Sequence, residues 1–205
     1  MSCKYSCAPR CKIACTPTSL KGPWVLDKAA FALIKEAVDN TKHEVAGVLH
    51  LGPGHTLQFR GPFVEGERDA VDVPHGMVEF HTHPSKCSDS SKDCGIDVPS
   101  PEDIGLLLYD LFNGTLVHMV FASTGTYVMQ AQPALVKRIK EGGDAYVRAL
   151  VGDFERLFEE EPPRWANLGN DAFLIKFRKA WMALARRYKL KCVFTKPSTP
   201  PRVRL

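Results

Sequence analysis

The chain has 205 residues, 44% of them hydrophobic, and a formal charge of +4, which is enough for one well-buried core with a margin for tails or an insertion. No run approaches the roughly 18 apolar residues that span a bilayer, and the N-terminal MSCKYSCAPRCKIAC lacks the apolar core of a secretory signal. No membrane partner is expected, the net charge is too small to argue for nucleic acid, and an intracellular protein, or one packaged into a virion, is the expectation.

Residues 1–22 form a Cys-rich leader in which Cys3, Cys7, Cys11 and Cys15 recur at every fourth position, while Pro9 and Pro17 oppose one clean helix. Metal binding, disulfides and neither remain equal alternatives for this spacing. Residues 23–196 read as one domain. Asp27 is a good N-cap preceded by Leu26, and the stripe Phe31, Ile34, Val38 predicts a helix ending near Asn40. Glu44 to Leu51 reads as a buried strand, Gly52-Pro53-Gly54 turns it, and Thr56 to Phe59 runs back, with Phe63 and Val64 in a third short strand. The apolar run Met77 to Phe80 leads into His81 and His83. Residues 85–99 are an insertion carrying Cys87 and Cys94, open to a disulfide, free thiols or a second metal.

Pro101 to Phe112 is a predicted helix with Ile104, Leu107, Leu108 and Leu111 on one face, ended by Asn113-Gly114. Leu116 to Ala122 and Thr126 to Gln130 follow as strands. Ala134 to Lys140, Asp144 to Glu160 and Asp171 to Tyr188 are helical, the last with Phe173, Phe177, Trp181 and Leu184 as a core stripe. Cys192 to Thr195 returns to the sheet, with Cys192 a small buried hydrophobe. Residues 197–205 are expected to be a poorly ordered tail unless a partner holds them. From Lys176 onward the chain carries many Lys and Arg and no acidic residue, a pattern of a solvated basic face. This order of elements makes an α/β sandwich around a largely antiparallel or mixed sheet.

Three polar signals stand out against that frame. His81 and His83 are one residue apart, so in a strand both imidazoles project from one face and supply half of a tetrahedral zinc site. Ser100-x-x-Asp103 with Pro101 between has the form of a capping box at a helix start, and Asp103 is the available third ligand. Glu44 lies at the mouth of the first long strand, beside Val45, Ala46 and Val48. Each alone is ordinary: a surface or core histidine pair, a helix cap, a charge at a strand edge.

As a set, Glu44, His81-x-His83-Pro84 and Ser100-x-x-Asp103 resemble the JAMM (MPN+, or JAB) metalloprotease family. The resemblance covers about residues 26–130. It implies a JAB/MPN-like fold, a central mixed sheet flanked by helices in the cytidine-deaminase-like manner. It further implies a Zn2+ held by His81, His83 and Asp103, with Glu44 taking the proton of the attacking water and passing it to the leaving amine, and Ser100 donating to the oxyanion. The implied activity is hydrolysis of an amide or isopeptide bond in a peptide or a ubiquitin-like conjugate. The interval between the two motifs is longer than is usual for the family, and with its cysteines it is similar to JAB proteins of large DNA viruses. The rival expectation is an MPN-type scaffold or structural component of a larger assembly, docked through the Cys-rich leader and the basic C-terminal tail.

Overall fold

The computed structural model describes residues 22–67, 70–84, 98–160 and 171–205. Cys3, Cys7, Cys11, Cys15, Cys87 and Cys94 lie outside the described residues, as does nearly all of the expected insertion.

The fold is an α/β arrangement around a mixed, curled nine-stranded sheet. In chain order come β1 (Pro23–Leu26), α1 (Lys28–Asn40), β2 (Val45–Gly52), β3 (Thr56–Phe59), β4 (Val64–Glu65) and β5 (Val78–Thr82). They are followed by α2 (Pro101–Asp110), β6 (Val117–Ala122), β7 (Gly125–Ala131), α3 (Pro133–Glu160), α4 (Asp171–Arg187), β8 (Leu190–Thr195) and β9 (Arg202–Arg204). The strand order is β8-β7-β6-β5-β2-β3-β1-β9, with β4 paired to the start of β2. The β5–β6 and β1–β3 pairs are parallel and the others antiparallel. The first half of β2 pairs with β4 and β5 and its second half with β3, so the sheet curls about this strand.

Local chemistry sets the boundaries. Asp27 caps α1, its Oδ1 accepting from Ala30 N at 2.7 Å. α2 gives way to a 3-10 turn, Leu111–Asn113, and Gly114 ends it at φ 101°, a left-handed conformation that glycine adopts without a Cβ penalty. α3 is two helices joined at Gly143, whose φ of 56° and ψ of −152° break the helical path where Gly142-Gly143 marks a stop.

Two cores flank the sheet. On one face Trp24, Leu26, Ile34, Leu57, Phe80 and Phe121 pack with α1. On the other, Val120, Tyr127 and Met129 pack with α2, α3 and α4, centred on the fully buried Trp181. Alternation along β5 sends Val78, Phe80 and Thr82 to one side and Glu79, His81 and His83 to the other.

Two strands differ from the sequence expectation. β1 is a strand where only a leader boundary and a helix start are legible. The supposed tail is also partly ordered: Arg202–Arg204 adds to the sheet edge, pairing Val203 with Trp24, and Val203 is buried. Cys192 is half-buried with a free thiol, and burial pushes its pKa up.

Candidate metal centre

The centre lies where β2, β5 and α2 meet, on the sheet face covered by α2, α3 and α4. The antiparallel register that pairs Ala46 with His81 continues to bring Glu44 opposite His83. Thr82, pointing away from the histidines, accepts from Val45 N at 3.1 Å and ties the two strand ends together. His83 N donates to Phe121 O at 2.8 Å, extending the β5–β6 pairing one residue past the strand.

α2 enters from above. The Trp181 indole donates to Pro99 O at 3.0 Å and Val98 is buried in the core, so the segment leading into the helix is anchored to α4. Ser100 caps α2: its Oγ accepts from Asp103 N at 3.1 Å, and Asp103 Oδ2 accepts from Ser100 N at 2.7 Å. The capping box is therefore formed, with Asp in place of the usual Glu. Its carboxylate also faces the histidines. Asp103 Oδ1 lies 3.1 Å from His81 Nε2 and Oδ2 lies 3.4 Å from His83 Nε2, while the two Nε2 atoms are 3.1 Å apart. The structural and the functional reading of Ser100-x-x-Asp103 are thus compatible.

Glu44 lies beside the pair, its Oε1 3.8 Å from His83 Nε2. Glu44, His81 and His83 are all buried, and their ligand atoms lie within 4.8 Å of one another, a set that could itself hold a metal ion. Two triads therefore share the histidines. Asp103 stands 3.1 and 3.4 Å from the two imidazoles, closer than the 3.8 Å between Glu44 and His83. Burial alone would raise the Asp103 carboxyl, but the charge and hydrogen bonds of His81, followed by those of His83, hold it well below the usual carboxylate range.

The structure thus brings together all five expected residues: Glu44, His81, His83, Ser100 and Asp103. Comparison with family models, with curated proteins and with solved structures finds no match. What the centre can do rests on its own geometry.

Two further residues belong to it and were missed. His118, on β6, is paired in register with Glu79 and lies diagonal to His81 on the same face. Its Nε2 is 2.9 Å from His81 Nδ1, and its Nδ1 faces Glu79 Oε2 at 3.7 Å. Both residues are fully buried. Burial pushes the His118 pKa down, against the opposing pull of the Glu79 carboxylate. A usable signal was present: Glu79, His81 and His83 alternate at a strand's period, and His118 is the only polar residue in Val117–Ala122.

Elsewhere, a concavity of about 610 Å³ between β7 and α3 is lined by Val136, Lys137, Lys140 and Leu205, among others, and by none of these residues. No helix among the described residues is long and apolar enough to cross a membrane.

Proposed function

We propose that the protein is a zinc-dependent hydrolase of amide or isopeptide bonds, acting on ubiquitin-like conjugates or peptides, with the JAB/MPN-like fold that its motif set resembles. The observation that carries this reading is the approach of the Asp103 carboxylate to both imidazoles, Oδ1 3.1 Å from His81 Nε2 and Oδ2 3.4 Å from His83 Nε2, with the two Nε2 atoms 3.1 Å apart. Ligands about 2.0–2.1 Å from a tetrahedral zinc stand about 3.3–3.4 Å from each other, so the donor set fits that ion in both chemistry and size. His81, His83 and Asp103 would hold it. When bound, zinc supplies a Lewis acid for the scissile carbonyl and lowers the pKa of water.

The chain's own groups do the rest. Glu44, buried and beside His83, accepts the proton of the attacking water and returns it to the leaving amine. Ser100 Oγ accepts from Asp103 N, and its O–H has the capacity to donate to the oxyanion of the tetrahedral intermediate. The α2 N-terminus adds its partial positive charge on the same side.

The rival reading, a scaffold docked through its tails, keeps the leader as a docking arm. It loses part of its other support because Arg202–Arg204 is engaged in the sheet. The deciding experiment compares zinc-loaded wild type with Glu44→Gln on a ubiquitin-like isopeptide conjugate. Cleavage by wild type, reduced about 10²–10⁴-fold in the variant with zinc retained, is expected. Equal cleavage by both would remove Glu44 from the mechanism, and zinc-loaded wild type inert on conjugates and peptides alike would favour the scaffold.

A further inference from the structure

We infer that Glu79 and His118 are positioning residues, an ordered relay that locks His81 in the tautomer whose Nε2 lone pair faces the metal position. The inference rests on the metal-centre reading above and assigns roles to two residues outside its motif set.

The relay is fixed at its inner end. Glu79 Oε1 accepts from Gly76 N at 2.8 Å and from the Thr115 hydroxyl at 2.6 Å, which holds the carboxylate in one orientation. His75, 3.2 Å from Asp110 and 3.9 Å from Glu79, places a further imidazole at that end. The other oxygen, Oε2, points at His118 Nδ1. Their separation, 3.7 Å, exceeds hydrogen-bond length, yet both atoms are buried and neither has a hydrogen-bond partner among the described residues. A carboxylate oxygen can only accept, so the His118 proton belongs on Nδ1. With that proton on Nδ1, Nε2 of the ring is the acceptor across the 2.9 Å to His81 Nδ1. His81 then carries its proton on Nδ1, and its Nε2 is bare toward Asp103 and His83. The reverse order would set a lone pair against the Glu79 carboxylate and a proton where the metal should bind. A ligating histidine commonly donates its other ring N–H to such an outer partner. Here a second histidine stands between ligand and carboxylate.

The test uses the full chain, with the His81→Ala, His83→Ala variant as the blank for zinc bound elsewhere, and measures zinc affinity by chelator competition. Glu79→Gln keeps an oxygen for Gly76 N and Thr115 but turns an amide N–H₂ toward His118. That reverses the relay and should weaken zinc about 10–100-fold. Adding His118→Gln places an amide that can accept from His81 regardless of Glu79, so the double variant should bind zinc more tightly than Glu79→Gln alone. Unfolding midpoints in excess chelator separate this from damage to the fold: a purely structural Glu79 lowers the midpoint and leaves zinc affinity alone. Unchanged affinity in Glu79→Gln, or no recovery in the double variant, overturns the relay while leaving the metal centre standing. Wild type binding no more zinc than the blank overturns the centre itself, and the relay with it.

Discussion

Asp103→Asn separates the two roles that Asp103 combines. The substitution keeps the size and one oxygen, so the bond from Ser100 N, 2.7 Å in wild type, can persist as a neutral one. Replacing a charge-assisted bond by a neutral one costs about 1 kcal/mol, and losing a carboxylate at a helix N-terminus about 0.3–1 kcal/mol. In excess chelator the unfolding midpoint should therefore fall by about 3–8 °C, at 2–4 °C per kcal/mol for a chain of this size. The zinc-dependent change should be larger. At free zinc 100 times the wild-type dissociation constant, binding adds about 2.7 kcal/mol, or roughly 5–11 °C. Loss of a ligand that touches both imidazoles should weaken binding by at least about 100-fold, the upper end for an outer-shell partner. The gain then shrinks to about 0.4 kcal/mol, about 1–2 °C. The assay is thermal unfolding with chelator and with buffered zinc. Zinc-induced rises of equal size in wild type and variant would refute the assignment of Asp103 as a ligand and leave it a helix cap alone.

Ser100→Ala should cost about 0.5–2 kcal/mol of metal-free stability through the lost cap and keep its zinc, while lowering kcat about 10²–10³-fold if the hydroxyl serves the oxyanion; elemental analysis and steady-state kinetics read the two effects. Deleting residues 201–205 exposes the β1 edge and removes the buried Val203, so the unfolding midpoint should fall by about 3–12 °C; an unchanged midpoint would mean that β9 adds nothing to the sheet. Burial, joined by repulsion from Glu79, raises the Asp110 carboxyl above its usual 3.8 despite the Asn113 hydrogen bond. The folded state then holds this proton where the unfolded state has released it, so wild type loses stability as pH rises from 3.8 to the raised value. Asp110→Asn should gain on wild type across that window and keep the gain above it, as denaturant midpoints measured against pH will show.

The parts of the fold that were legible are those carried by long periodic segments. The stripe Phe31, Ile34, Val38 and the glycine pair at 142–143 located two helix boundaries, because each maps directly onto backbone geometry. β1 and β9 escaped because each is three or four residues long, lies among prolines, and becomes a strand only through pairing with segments distant in sequence, β1 with β3 and β9, and β9 with β1. In the centre, His81 and His83 were legible because a one-residue gap forces two strand side chains together, and Asp103 because the cap motif fixes its helix position. His118 was not: a single histidine in an apolar strand carries no spacing information, and only the β5–β6 register shows that it faces Glu79 and His81.

The central claim is that one zinc sits between His81, His83 and Asp103, and metal content tests it most directly. Elemental analysis of purified wild type and of the His81→Ala, His83→Ala double variant, each confirmed folded, should differ by about one zinc per chain. Because both proteins carry the same leader cysteines, any zinc bound there cancels in the difference. Equal zinc in the two proteins would contradict the account.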